Sequence, residues 1–124
     1  MSMPYAENQQ EDKGVRVLTS ECTIEGRQFV LSLLRFSNGC FLSISEDTNQ
    51  RLGAITLSIK SGGRAISSPL IPESRGSMLA SMVGEMLAET LQGMAITSLY
   101  LRSDVGASDM KTLISEVRKL LEKG

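Results

Sequence analysis

Two apolar runs joined at Asn38-Gly39 constrain this chain more than any other stretch; they span residues 29–44, FVLSLLRFSNGCFLSI. An Asn-Gly pair readily adopts the positive φ angles that a two-residue type I′ turn requires, so the stretch predicts a β-hairpin. A loop of these two residues sets the expected pairs across the hairpin: Ser37 with Cys40, Phe36 with Phe41, Leu34 with Ser43 and Leu33 with Ile44.

Side chains alternate along a strand, so the hairpin has two faces. The first face is interrupted only by Arg35 and holds Phe29, Leu31, Leu33, Cys40, Leu42 and Ile44. The second face is diluted with serines and holds Val30, Leu34, Phe36 and Phe41. Neither face is polar enough to lie bare in water, so each one needs a cover.

Length and charge narrow the class of protein. A chain of 124 residues, 41% apolar and 22% charged, is the size and composition of one ordinary globular domain. The net charge of −1 argues against a nucleic-acid or membrane-surface partner, either of which requires a basic surface. Neither an apolar run of about 18–20 residues nor a signal-peptide layout is present, which predicts a cytoplasmic or nuclear protein.

The chain contains no histidine, which removes Ser-His and Cys-His nucleophile activation and most zinc sites. Cys22 and Cys40 lack metal-ligand spacing and are predicted to be free thiols in strands. Carboxylate chemistry stays open, but spacing does not bring the acids together, and solvated loop charges are expected at Glu46, Asp47, Asp104 and Asp109. We therefore predict a non-enzymatic protein with no catalytic residue, metal or cofactor.

The periodicity along the chain predicts an α+β fold. Residues 1–13 are polar without apolar repeats and are expected to form a disordered tail before a single domain at 14–124. Alternating and continuous apolar segments predict strands at 14–24, 27–36, 40–45, 54–60, 65–71 and 94–102, and three- and four-residue spacing predicts helices at 77–92 and from 108. The expected order is β-β-β-β-β-α-β-α.

Two features of the first helix have alternative interpretations. Its methionines, Met78, Met82 and Met86, could form an adaptable binding surface, but at helical spacing beside leucine and valine they are expected in the core. Arg75-Gly76 lies at the helix start, where free amides favour anions. A helix start explains that pair equally well, and the context of a phosphate-binding loop is missing.

Six strands at ~4.8 Å spacing make a sheet about 29 Å wide, and two helices about 10 Å across cover one face only. We expect the helices on the face that holds Leu31, Leu33, Leu42, Ile44, Ile55, Leu57 and Ile59. The prediction is a six-stranded antiparallel sheet with two helices packed on one face. The other face then offers a partner interface made of Val30, Leu34, Phe36 and Phe41. The alternative is a sheet that closes on itself as a barrel or sandwich.

This order of elements resembles the family of small proteasome assembly chaperones, over residues 15–123. The resemblance rests on the hairpin and on the segments LGAITLSI (52–59), ISSPLI (66–71), SMLASMVGEMLAETL (77–91) and MAITSLYL (94–101). It implies two helices on an antiparallel sheet, pairing with a related chaperone subunit as a homo- or heterodimer, and transient holding of proteasome α-type subunits during α-ring formation. It supplies no residue-level binding motif.

Two other functions are compatible with the sequence. A small longin- or roadblock-like interaction scaffold also uses a sheet with few helices, but such scaffolds place a helix earlier in the chain than this one does. A carboxylate- or thiol-dependent enzyme would require a pocket holding an acid with a displaced pKa.

Overall fold

The computed structural model describes residues 15–71 and 75–123, so the predicted tail at 1–13 lies outside the described residues. The elements follow the predicted order: β1 (Arg16–Ile24), β2 (Arg27–Phe36), β3 (Gly39–Ser45), β4 (Ala54–Ser61), β5 (Arg64–Ile71), α1 (Ser77–Leu91), β6 (Met94–Tyr100) and α2 (Ala107–Lys123). The α+β class and the succession of strands and helices are confirmed.

The six strands form one open sheet in the order β1-β2-β3-β6-β4-β5, with β1 and β5 at its edges. Four pairings are antiparallel, but β3 and β6 run parallel, which corrects the prediction of a wholly antiparallel sheet. The reason is topological. β6 inserts between β3 and β4, which run in opposite directions, so it must be parallel to one of them. Parallel strands need a long crossover, and here that crossover includes α1.

The central hairpin forms with a register two residues away from the predicted one. Phe36 lies opposite Gly39 and Leu34 opposite Phe41, so the loop is Ser37-Asn38. Gly39 is needed for a different reason than the turn: a Cβ there would collide with the Met94 carbonyl oxygen at the start of β6. Because the slip is an even number of residues, every side chain keeps its predicted face.

The two helices pack on the same sheet face, as predicted. α1 lies over β4, β5 and β6, and α2 lies over β1 and β2. The hairpin residues assigned to this face are in the core, with Leu31, Leu33, Leu42 and Ile44 fully buried.

On β4 the predicted face is wrong. Ala54, Thr56 and Ser58 are buried beneath α1, and the apolar set Ile55, Leu57 and Ile59 points to the opposite side. The cause is the close approach of α1, whose buried stripe contains three small residues: Ala80, Gly84 and Ala88. Short side chains on β4 leave room for this approach, so the helix covers the side of β4 that carries the smaller residues.

Gly84 is the tightest point of this packing, and its replacement by valine should displace α1. A Cβ at Gly84 would lie 3.1 Å from Thr97 Oγ1 and closer still to Ser58 Oγ. Overpacking a filled core costs about 1–3 kcal/mol, so we expect Gly84→Val to lower the free energy of unfolding by ~2–3 kcal/mol. Urea unfolding followed by circular dichroism measures the change.

Gly63→Ala is the matched control, because a Cβ there meets open space. We expect its unfolding free energy to stay within about 0.5 kcal/mol of the unmodified protein. Equal stability of Gly84→Val and the unmodified protein would contradict the close packing of α1 on β4 and β6.

The methionine prediction fails at two of three positions in α1. Met78 is 70% exposed and Met82 46% exposed, whereas Met86 packs against the core. The buried stripe is filled instead by Leu79, Ala80, Val83, Gly84, Leu87 and Ala88. This narrow stripe is enough to cover the short side chains of β4. Met78 and Met82, which flank the stripe, therefore stay exposed to solvent.

Candidate interaction surface

The sheet face away from the helices, called the open face below, carries two neighbouring rows of apolar side chains. Residues paired across adjacent strands point to the same face, so the register places each row directly. The row nearer the hairpin turn consists of Ile66, Ile59, Met94 and Phe36, with Gly39 between the last two. The next row consists of Leu57, Ile96, Phe41, Leu34 and Val17. We call these two rows the apolar patch.

The apolar patch is accessible to a partner. Its outer members are the most exposed, with Val17 at 65% and Phe36 at 42%, and its central members Leu34, Phe41 and Ile96 are half-buried. A shallow groove of about 310 Å³ runs between Phe36, Phe41, Met94 and Ile96. Each row spans five strands, so the two rows cover about 340 Å², given ~4.8 Å between strands and ~7 Å between alternate residues. That size is within the range of the largest apolar patch on a typical monomer, which is often a functional site.

The other half of the open face is polar and is covered by the connection between β3 and β4. Above the apolar patch the register gives a row of hydroxyls, Thr19, Ser32, Ser43 and Ser98. The connection between β3 and β4, residues 46–53, folds across this part of the sheet. Its Gly53 N–H donates to Ser98 Oγ at 3.1 Å, its Arg51 N–H donates to Ser45 Oγ at 3.0 Å, and Ser32 Oγ is 2.9 Å from Gln50 Oε1.

The four residues predicted as a partner interface therefore separate into two groups. Leu34, Phe36 and Phe41 lie together in the apolar patch. Val30 lies opposite Ser45, in the half of the sheet that the connection covers, and is only 7% exposed. The segment between the predicted strands at 40–45 and 54–60 is polar, and its composition alone does not indicate that it folds onto this half of the sheet.

Sequence reasoning missed the patch members on β4 and β6. Leu57 and Ile59 were expected beneath the helices, and Ile96 and Met94 were not assigned to a face. The available signal was the run of small residues in α1, because a helix with glycine and alanine in its buried stripe pairs with short side chains on the strand below.

A buried ion pair fixes the end of the sheet farthest from the apolar patch. Glu46 is 7% exposed, and its carboxylate accepts two hydrogen bonds from the Arg27 guanidinium, Nε at 2.9 Å and Nη2 at 2.6 Å. It also accepts the Arg102 backbone N–H at 2.8 Å. Arg27 in turn donates to the carbonyl oxygens of Ser103 and Asp104. The pair thus ties the start of β2 and the end of β3 to the link between β6 and α2.

This geometry corrects the expectation that Glu46 is a solvated loop charge. The Arg27 guanidinium, together with the Arg102 amide, holds the pKa of Glu46 below its ordinary value, against the opposing effect of burial. Arg27 was missed as its partner because the two are 19 residues apart and meet only when β2 and β3 pair.

A pH dependence follows from the lowered pKa of Glu46. The stabilisation is complete above the pKa of the unfolded chain and is lost as pH falls through the lower pKa of the folded state. We expect the unmodified protein to lose more unfolding free energy between about pH 6 and pH 2 than the Glu46→Gln variant does. Urea unfolding of both across this range measures the difference in slope.

The unfolding free energy of Glu46→Gln will still depend on pH to some extent, because hydrogen bonds from Lys60 and from the Ala65 amide also lower the pKa of Glu89. Identical slopes for the variant and the unmodified protein would show that the Glu46 carboxylate does not stabilise the fold.

The thiols do not form a reactive centre in the described chain. Cys22 and Cys40 are free, as predicted, and Cys40 is buried. Burial raises the pKa of Cys40 to about 11 and also raises the pKa of Cys22, so both are protonated near neutral pH. Within residues 15–71 and 75–123, no group of three or more acidic or cysteine side chains is placed to hold a metal ion.

The described helices are also too short or too polar to cross a lipid bilayer.

The fold is that of a small α+β protein with two helices on one sheet face and an exposed apolar patch on the other. No family profile matches the sequence, and no curated protein matches it significantly. Among solved structures, the chain is similar to one in the crystal structure of a novel chaperone complex for yeast 20S proteasome assembly. The TM-score is 0.71, over 88% of this chain and 96% of that one. With 10% sequence identity, this similarity shows a shared fold.

Proposed function

We propose that this protein is a non-enzymatic assembly chaperone of the proteasome core particle, most like proteasome assembly chaperone 4. In this proposal it pairs with a related chaperone subunit and transiently holds α-type subunits while the α ring forms. The observation that carries the proposal is the apolar patch on the open face of a fold that a proteasome assembly chaperone complex also contains.

The apolar patch fits a stable partner of similar shape. Two sheets pack face to face at about 10 Å when both inner faces are apolar, and the open face has an apolar half of this kind. Standard interfaces bury about 800 Å² on each side, more than the apolar patch provides alone. The pairing surface would therefore include a polar rim, which the hydroxyl row and the Gln50 side of the connection supply.

The target subunit would bind elsewhere, since the open face is occupied by the paired chaperone. A chaperone that must later leave needs a modest and fairly polar contact, typical of transient interfaces. Loops and a sheet edge meet this requirement better than the apolar patch does. We also propose that the protein acts in the cytoplasm or nucleus, where proteasome subunits would be its targets.

The proposal is tested by sedimentation velocity of the purified chain at micromolar concentration, alone and mixed with candidate chaperone subunits. We expect a dimer in one of these samples. A pull-down from the source cell with mass spectrometry should then recover a second small chaperone together with proteasome α subunits. A chain that stays monomeric in every mixture and recovers neither class of protein would overturn the proposal.

A further inference from the structure

We propose that the end of the molecule away from the hairpin turn carries a second interaction site, which binds a carboxylate of a protein partner next to an apolar side chain. The site is a hollow of about 440 Å³ at the end of β6, called the arginine hollow below. Its walls include Arg75, Arg102, Tyr100, Leu52 and Gly53. This inference does not rest on the proposed chaperone function, because it uses none of the apolar patch.

Arg75 is held in place at one wall of the hollow. Its Nη1 donates to the carbonyl oxygen of Arg102 at 3.0 Å, which fixes the guanidinium against the end of β6. Among the described residues its ion-pair partner is Asp104, whose oxygen is 3.9 Å from Arg75 Nε and whose side chain is almost fully exposed. An ion pair at that distance and exposure is weak, so Asp104 competes little with a ligand for the Arg75 guanidinium.

Arg102 lies in the same wall. Its backbone N–H is bonded to Glu46, but in the parts of the chain that the structure describes its guanidinium has neither an ion pair nor a hydrogen bond. The charge of Arg102 helps to lower the pKa of Glu46, but the direct ion pair of that carboxylate is with Arg27, which already balances its charge. Two arginines therefore line the hollow, and within the described residues the weak pair of Arg75 with Asp104 is the only ion pair that either of them makes.

The remaining walls favour a ligand with apolar surface beside its charge. Tyr100 contributes its ring, on whose face the Arg51 guanidinium lies at 5.7 Å from the centroid. Leu52 contributes an exposed aliphatic side chain. Guanidinium groups bind carboxylates through paired hydrogen bonds, and aromatic and aliphatic walls bind the neighbouring side chain. This pairing fits an acidic peptide segment better than a free inorganic anion.

The start of α1 adds positive electrostatic potential near the two arginines. Gly76 precedes the helix directly after Arg75, and the described first turn of α1 contains no acidic residue. Free amides at a helix start favour negative charge, so α1 reinforces the two arginines without forming a site alone. A net charge of −1 for the whole chain makes a nucleic-acid strand a poorer occupant than a protein.

The arginine hollow and the apolar patch lie on opposite sides of the β3–β4 connection. Leu52 and Gly53, which line the hollow, belong to that connection, and the apolar patch begins beyond the hydroxyl row. A partner that covers only the apolar patch therefore leaves the hollow open.

The test titrates the peptide acetyl-Phe-Glu-Glu-Leu-amide into the isotope-labelled full chain and follows backbone amide shifts by NMR. We expect shifts confined to residues 52–54, 75–76 and 99–102, and none with the version in which glutamine replaces both glutamates. Arg102→Gln should weaken binding about tenfold, the effect of losing one charge-assisted hydrogen bond. Arg118→Gln, at an exposed position on α2, should bind as the unmodified protein does.

The carboxylate can be a side chain or a chain terminus, and the same peptide with a free C-terminus separates these sources. Tighter binding of the free acid assigns the hollow to a C-terminal carboxylate, and equal binding assigns it to acidic side chains. The inference is overturned if the glutamine peptide shifts the same amides, if Arg102→Gln binds as tightly as the unmodified chain, or if inorganic phosphate shifts these amides at a lower concentration than the peptide.

Discussion

Replacing Phe41 with aspartate is expected to abolish the proposed pairing with a related chaperone subunit while leaving the chain folded. Phe41 lies in the middle of the apolar patch, flanked by Leu34 on β2 and Ile96 on β6. Pairing would bury the new carboxylate against apolar side chains with no cation to receive it, which is strongly unfavourable. We expect at least a 100-fold loss of affinity, equivalent to roughly 3 kcal/mol. Sedimentation velocity at micromolar concentration measures it.

Ser115→Asp is the matched control, because it adds the same charge at an exposed position on α2, on the helix side of the sheet. It should pair as the unmodified protein does. Phe36→Asp gives a second test at a position that is 42% exposed and therefore less sensitive to loss of folding. Circular dichroism verifies that each variant is folded. A folded Phe41→Asp chain that still pairs with full affinity would remove the apolar patch from the interface.

Replacing Arg27 with alanine is expected to cost more stability than any other single ion-pair change in the described chain. It leaves the Glu46 carboxylate buried with only the Arg102 amide, and it frees the carbonyl oxygens of Ser103 and Asp104. Removing one partner of a buried pair costs about 3–5 kcal/mol. The Arg27 side chain is 21% exposed, so we expect a loss of ~2–3 kcal/mol in unfolding free energy. Urea unfolding near neutral pH measures it.

The surface pair of Lys119 with Glu116 provides the control. Its atoms are 3.4 Å apart and the Lys119 side chain is 66% exposed, so Lys119→Ala should change stability by less than about 0.5 kcal/mol. A double variant, Arg27→Ala with Glu46→Leu, should recover part of the loss because no charge then stays buried alone. Equal effects of Arg27→Ala and Lys119→Ala would show that the buried pair contributes no more than a surface pair.

Local patterns in the sequence were enough to predict the elements and the faces of the central hairpin. Leu31, Leu33 and Leu42 are buried beneath the helices as predicted, because alternation along a strand depends only on backbone geometry. The order of elements is also confirmed, because apolar residues repeat at every second position in a strand and at three- or four-residue spacing in a helix. The register of the hairpin was wrong because Gly39 serves packing against Met94 and not the turn.

The candidate site was less predictable because it depends on pairings between distant residues. Leu57 and Ile96 meet only through the β4–β6 pairing, and alternation in β4 cannot say which of its sides a helix will cover. The burial of Val30 depends on the path of the 46–53 connection, and that of Glu46 on an arginine from another strand. Leu34, Phe36 and Phe41 were found correctly as one surface, since all three belong to the hairpin itself.

The place of β6 in the sheet has a consequence for how this protein is made. β6 starts at Met94, yet it is a central strand, and it contributes Ile96 and Met94 to the apolar patch. A ribosome that has released the chain only as far as α1 has delivered two separate pieces of sheet, β1–β3 and β4–β5, with a gap between them. Non-local pairing of this kind closes late. A partner that recognises this face would therefore need a chain in which β6 has already been made and paired.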